Sequence, residues 1–340
     1  MKSGLLCTVI ALTVLVCNRE KGSLSICFTG DLLLDRGVRT FIGRNGVDAL
    51  FQPISGSIKA ADFAIANLEC PATAVATPTT KQYVFRAEPQ WLDAVRKCGF
   101  THLNVANNHA IDHSRKALVE TGRNIQKYGL IVTGYGTTHT EACEPVEIEE
   151  RGIQIAVFSS VLLPLENWLY LPEAPSVCQA TSGQLSDAIR EYRKSHENVF
   201  IAVMLHWGVE YHAFPATYQC KQASEIITSG ADIIIGHHPH VLQSVSFIDG
   251  KPVLYSLGNF VFDAKRPDAS IGIVATMHIG EGREPCCYLK PYHIENCVPI
   301  PMKPEESDEC KKYLISLSEG ITLKTTSRGW LLLETKMSRR

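Results

Sequence analysis

The strongest constraint on this 340-residue chain lies at residues 231–243, Ala-Asp-Ile-Ile-Ile-Gly-His-His-Pro-His-Val-Leu-Gln. Ile233, Ile234 and Ile235 form a β-branched run that predicts a short buried strand. The strand feeds a tight turn at Gly236. His237, His238 and His240 then follow within four positions, with Pro239 fixing the backbone between the last two. Neutral imidazole is the commonest protein metal ligand, so the pattern suits a ligand cluster at a sheet edge. A His-x-His by itself is also compatible with ordinary turn histidines. Carboxylates and amides from elsewhere in the chain have to decide.

The same device recurs four times. A strand over Leu24–Phe28 delivers Thr29-Gly30-Asp31, and one over Asp62–Ala66 delivers Asn67-Leu68-Glu69. A strand over Thr101–Ala106 delivers Asn107-Asn108-His109, with Asp112 just beyond, and Val199–Leu205 delivers His206-Trp207, then Glu210 and Tyr211. Helices are expected between them, over 47–60, from Pro89 to Gly99, and over 114–128, 184–195 and 217–229. Each strand end has a plain structural reading: Asp31 as a turn or cap, Asn107 and Asn108 as turn formers, Trp207 and Tyr211 as core. Together they place ligand-type groups at the carboxyl ends of several strands, the usual address of an α/β active site.

The chemistry follows from the residue types. Asp31 is a candidate ligand, and Asn108 can offer its carbonyl oxygen. His109 suits a proton donor or phosphate contact, with Asp112 orienting or capping. Arg36 matches carboxylate or phosphate geometry. Trp207 and Tyr211 suit a sugar or peptide platform, Glu210 a base or a partner for a cationic group, and Asn259 an amide near the site. Arg-Gly at 151–152 and Asp-Gly at 249–250 mark hairpins. The Pro-rich loop 71–82 is expected to be exposed, and the irregular segment 162–182 is a lid or substrate-contacting loop.

Composition removes some alternatives. Basic and acidic residues nearly balance, 33 against 35, so no nucleic-acid surface is expected. Twelve cysteines with no CxxC pair form neither a zinc knuckle nor a disulfide scaffold, and Cys27 and Cys98 sit in apolar runs as small hydrophobes. Residues 1–20 resemble an export signal, with Cys17 a candidate lipidated cysteine; an apolar strand or helix is the alternative. No later segment is long enough to span a membrane.

In their order, Thr-Gly-Asp31, Ala-Asn67-Leu-Glu69, Ala-Asn107-Asn108-His109-Ala-Ile-Asp112, His206-Trp-Gly-Val-Glu210, Gly236-His-His238-Pro-His240-Val and Leu257-Gly-Asn259-Phe resemble the CapA, or bacterial poly-gamma-glutamate capsule synthesis, family. That family looks like a branch of the calcineurin-like metallophosphatases. The resemblance implies a four-layer α/β/β/α sandwich over residues 21–300, with 301–340 as an extension packed on it. It implies metal ligands Asp31, Glu69, Asn108, His206, His238 and His240 and a catalytic role for His109; Asp112 and Glu210 join it as catalytic candidates by residue type and place in the chain. Leu33 stands where a further histidine ligand is expected, and His237 is either a spare ligand or a turn residue.

Mixed oxygen and imidazole ligands suit Mn, Zn or Fe, as one ion or two. Arg36, Arg86, Asn107, Trp207, Tyr211 and Asn259 would meet an anionic polymer or peptide-like substrate. The setting implied is an exported, envelope-associated protein working beside a membrane-bound synthase. It would take part in capsule-type polymer biosynthesis or processing by metal-dependent hydrolysis or transfer. A phosphoesterase and a non-catalytic polymer-binding or assembly protein are the alternatives.

Overall fold

Alternation along the strands sets up the layers. In the strand Ser23–Leu32, Leu24, Ile26 and Phe28 face one apolar cluster while Cys27 faces another, as a two-residue repeat requires. In Phe200–His206, Ala202 and Met204 share the cluster of Leu24, and Ile201, Val203 and Leu205 face the opposite way. Ile233 and Ile235 join the first group and Ile234 the second. The computed structural model, which describes residues 22–166 and 168–335, therefore has two large sheets packed face to face on a shared apolar layer, beside a small ribbon that pairs Tyr135–Gly136 with Ser176–Val177.

The first sheet has ten strands. Its main path runs Ile321–Thr325, Leu331–Thr335, Arg283–Glu295, Ile271–Gly280, Ser23–Leu32, Phe63–Leu68, His102–Asn104 and Ile131–Thr133. Asn259–Val261 and Val298–Pro301 pair alongside it. The second sheet has six strands, in the order Val245–Ile248, Lys251–Leu254, Ile233–His237, Phe200–His206, Ile153–Val161 and Val146–Glu150. The helices Leu92–Cys98 and Ser114–Lys127 bury Leu92, Val95, Leu118 and Ile125 on the outer face of the first sheet. Ser182–Ser195 and Thr217–Thr228 bury Leu185, Ile189, Ala223 and Ile226 on the outer face of the second. The result is the expected four-layer sandwich.

Registers align the functional strand ends. Asp31 pairs with Asn67 on one side and Asn259 on the other, Asn67 pairs with Asn104, and His206 pairs with His237, all in parallel strands. Gly30 and Gly236 correct the sequence reading: neither makes a turn, and both lie inside their strands. A β-carbon at Gly30 would stand 1.8 Å from the Gly258 carbonyl oxygen, and one at Gly236 1.8 Å from that of Tyr255. Glycine is needed there for close backbone approach.

Other differences are local. The expected helix over 47–60 is two short pieces, Asp48–Leu50 and Ser55–Ile58, and an unanticipated helix spans Gly37–Asn45. Residues 301–335 contribute the helix Pro304–Leu317 and two strands that continue the first sheet through Cys287↔Leu333. Cys143 and Cys178 form a disulfide, a link that neither CxxC spacing nor composition signals; Cys27 and Cys98 are buried free thiols. The proposed export segment and Cys17 lie outside the described residues. Among the described residues no helix is long and apolar enough to cross a membrane.

Candidate metal centre

Glu69 follows the strand Phe63–Leu68 and is 1 % exposed. Neither of its carboxylate oxygens has a hydrogen-bond partner. Its Oε1 lies 3.7 Å from His206 Nε2 and 3.7 Å from His240 Nε2. Ligand atoms of Glu69, His238 and His240 all fall within 4.8 Å of one another. Donors about 2.1 Å from a shared ion in tetrahedral array stand about 3.4 Å apart, so the spacing is of the right order. An unpartnered buried carboxylate is costly, and a cation is the ordinary remedy. The residues fit a metal.

Two further candidates border this group. The Asn108 carbonyl oxygen faces His206 Nε2 at 2.9 Å, and the Asn67 amide stands 3.2 Å from His206 Nδ1. Asp31 sits behind His240. Its Oδ2 is 3.3 Å from His240 Nδ1 and accepts from the His238 backbone N–H at 3.2 Å. Its Oδ1 accepts from Asn67 at 2.8 Å. A carboxylate behind a histidine fixes ring orientation and raises basicity. His238 and His240 have positive φ, 96° and 60°. Such backbone is strained for residues with a β-carbon and is held here by the surrounding contacts.

Electrostatics separate the ligands. Burial, reinforced by Asp31, pushes the Glu69 carboxyl well above its usual range. Burial lowers His240, but Glu69 and Asp31 outweigh it and bring the imidazole up to about 9. Burial pushes His238 down to about 3, helped by His240, and holds His206 well below its ordinary value, helped by His238. His206 and His238 are therefore neutral, the form that binds metal. His237 stands apart: its Nε2 donates to the Thr29 carbonyl at 3.0 Å, tying the two sheets together.

His109 is oriented by Asp112, whose Oδ2 lies 2.7 Å from its Nδ1. Burial lowers the His109 pKa, against Asp112, which raises it. Lys81 Nζ holds the other Asp112 oxygen at 2.6 Å and the Asn108 backbone carbonyl at 2.7 Å. The Lys81 side chain is 4 % exposed, although it comes from the loop expected to be exposed. Sequence reasoning missed it because no local pattern marks a lysine that bonds 31 residues away. It also missed the linking role of Asn67, which accepts from both Asn104 and Asn107.

The remaining expectations divide. Arg36 and Tyr211 reach the mouth; Tyr211 is 41 % exposed, with its ring 6.0 Å from that of His240. Glu210 is exposed beside it, and its charge contributes to raising Glu69. Trp207 is not a substrate platform: it is fully buried, and its indole donates to the Tyr255 carbonyl at 3.0 Å. Asn107 and Asn259 are buried among internal partners, Asn107 on Asn67 and Leu68, Asn259 on His240 and Ala269. Arg86 is engaged by the Thr73 carbonyl and Glu88, within its own loop.

Comparison with known proteins bears on family and fold. PGA biosynthesis protein CapA of Bacillus subtilis is 29% identical over 283 residues, covering 82% of this chain and 74% of that protein. Capsule biosynthesis protein CapA of Bacillus anthracis is 28% identical over 294 residues, covering 84% and 71%. Among solved structures, a candidate 5′-nucleotidase from Staphylococcus aureus aligns with a TM-score of 0.50 at 14% identity, over 86% of this chain and 58% of that one. That likeness bears on the fold alone. The model of the family described as bacterial capsule synthesis protein PGA_cap matches residues 25–264, most of the length, and the chain belongs to that family.

Proposed function

We propose that the protein acts in the synthesis or processing of an anionic capsule-type polymer, of the poly-gamma-glutamate class named for its relatives, by metal-dependent hydrolysis or transfer. The observation that carries the reading is Glu69: a fully buried carboxylate with no internal donor, facing two imidazoles. Glu69, His238 and His240 would hold a Mn, Zn or Fe ion, with His206 and Asn108 at its border. When bound, the ion supplies Lewis-acid polarisation of the scissile amide or phosphoryl group. Asp31 and Asn259 hold the His240 ring, and Asp112, braced by Lys81, holds His109 in position to pass a proton to the leaving group.

A single ion is favoured. Leu33, at the position of a possible further ligand, is fully buried in the apolar cluster beneath the outer helices. The export and envelope setting, with tethering through Cys17 and a membrane-bound synthase nearby, belongs to the same proposal. The test is elemental analysis of protein purified without chelators, followed by turnover of a γ-glutamyl oligomer and of a phosphate ester. One equivalent of Mn, Zn or Fe, lost in Glu69→Gln, together with metal-dependent cleavage of the oligomer, is the expected result. Cleavage of the ester alone would point to the phosphoesterase reading. Substoichiometric metal after loading, with unchanged behaviour of His238→Ala, would leave only polymer binding or assembly.

A further inference from the structure

Around His240 the side chains form a continuous bracket. The His240 ring lies 4.9 Å from the Phe262 ring on one side and 6.0 Å from the Tyr211 ring on another. Each aromatic carries an arginine. The Arg36 guanidinium carbon is 5.4 Å from the Phe262 centroid, and 5.5 Å from that of Phe85. The Arg266 guanidinium carbon is 4.8 Å from the Tyr211 centroid. Arg36 was anticipated from sequence as an anion contact; Phe262 and Arg266 were not.

Each guanidinium is also fixed by one carboxylate. Arg36 donates from Nε to Asp263 Oδ2 at 3.1 Å, and its Nη2 stands 2.8 Å from Oδ1 as an ion pair. Arg266 places Nε and Nη2 on Asp268, at 3.0 and 2.7 Å. Among the described residues Nη1 of neither arginine has a hydrogen-bond partner, and Arg266 is 54 % exposed. Carboxylate pairing and a cation–π contact restrain the plane of a guanidinium before a ligand arrives, which lowers the ordering cost of binding an anion. Backbone geometry adds to this: Arg36, Tyr211 and His240 have φ of 56°, 61° and 60°. Bulky residues hold left-handed backbone where the surroundings impose it, and such positions gather at ligand sites.

We infer that Arg36 and Arg266 form a two-armed anion clamp around the metal centre, recognising a chain that carries an anionic group on each side of the scissile linkage. The inference rests on the proposed polymer-processing role and names how that site selects its substrate. Arg36 binds the group on the Phe262 side and Arg266 the group on the Tyr211 side. A neutral chain of the same length gains neither contact. Carboxylates of a glutamyl chain and phosphates of a polyphosphate share this chemistry.

The test is titration of the metal-free protein with a γ-glutamyl oligomer, its side-chain-amidated neutral counterpart, and inorganic polyphosphate. Arg36→Gln and Arg266→Gln are each expected to weaken binding of the anionic chain about tenfold, as loss of one charge-assisted contact implies. The double variant is expected to bind the glutamyl chain no better than the neutral one and to lose most of its salt dependence. Arg266→Lys should keep the salt dependence while losing part of the affinity. Stronger binding of the glutamyl chain identifies a polycarboxylate substrate, and stronger binding of polyphosphate a phosphate polymer; in either case the arginine dependence supports the clamp. If Arg36→Gln unfolds through loss of its partner Asp263, the more exposed Arg266→Gln carries the test.

Wild-type binding of neither anionic chain, or binding indifferent to both substitutions, overturns the inference. Because binding is measured without metal, the two readings fail separately. Arginine-dependent binding without metal uptake or turnover sinks the hydrolase reading alone. Metal-dependent turnover without arginine dependence sinks the clamp alone.

Discussion

Asp31 and Glu69 sit at the ends of adjacent parallel strands and are almost equally buried, at 0 % and 1 % exposure. Their surroundings are opposite. Asp31 receives the Asn67 amide and the His238 backbone N–H and faces the His240 ring. Burial would raise its pKa, but hydrogen bonding and charge from His240 outweigh this and lower it. Glu69 receives no donor, and burial with Asp31 nearby raises it. The first carboxylate has its donors within the protein. The second has none, and a cation is its proposed partner. Depth of burial does not tell a structural acid from a functional one; the donor inventory around it does.

The contrast is sharpest in Asp31→Ala. It removes the acceptor from Asn67, from the His238 N–H and from His240 at once, and should cost about 3–5 kcal/mol, read by urea unfolding of metal-free protein. Glu69→Gln should do the reverse: metal affinity falls more than about a hundredfold, while metal-free stability stays level or rises by about 1–2 kcal/mol. If the Glu69 variant proves the less stable of the two without metal, the distinction between scaffold and ligand collapses.

Proton linkage gives a smaller effect. His240 holds its proton to about 9 in the folded protein, against an ordinary 6.5. Its stabilising contribution is therefore complete below pH 6.5 and lost as pH rises through about 9. The raised Glu69 acts in the same direction. Metal-free protein should lose on the order of 3 kcal/mol across that window. Metal binding releases the same protons, so the gain in Tm on loading should widen with pH. A constant gap would show that metal binding displaces no proton from Glu69 or His240. The smallest effect is expected from Trp207→Phe, about 1 kcal/mol from loss of the Tyr255 hydrogen bond. Metal content and oligomer binding should not change.

Much of the molecule was legible in sequence because its strands are apolar runs that stop at polar residues. That break singles out Asp31, Glu69, Asn108, His206, His238 and His240, and the structure brings them close to one another. What sequence did not reveal has no local signature. Lys81 looks like any loop lysine until the fold sets it under Asp112. Arg266 gains its place only when Tyr211, 55 positions earlier in the sequence, comes beneath it. Gly30 and Gly236 were assigned to turns because a glycine before a polar residue signals one; the close carbonyl that requires each comes from a distant segment. Trp207 followed a ligand histidine and looked like a platform, yet strand alternation turns it into the opposite apolar layer.

The strand Ser23–Leu32 has a further consequence. It carries Asp31 near its carboxyl end, beside the candidate ligand cluster. Ten residues at about 3.3 Å each make it a spacer of about 30 Å. Ser23 and Asp31, eight residues apart on it, therefore stand about 26 Å from each other, and only the second touches the candidate ligand cluster.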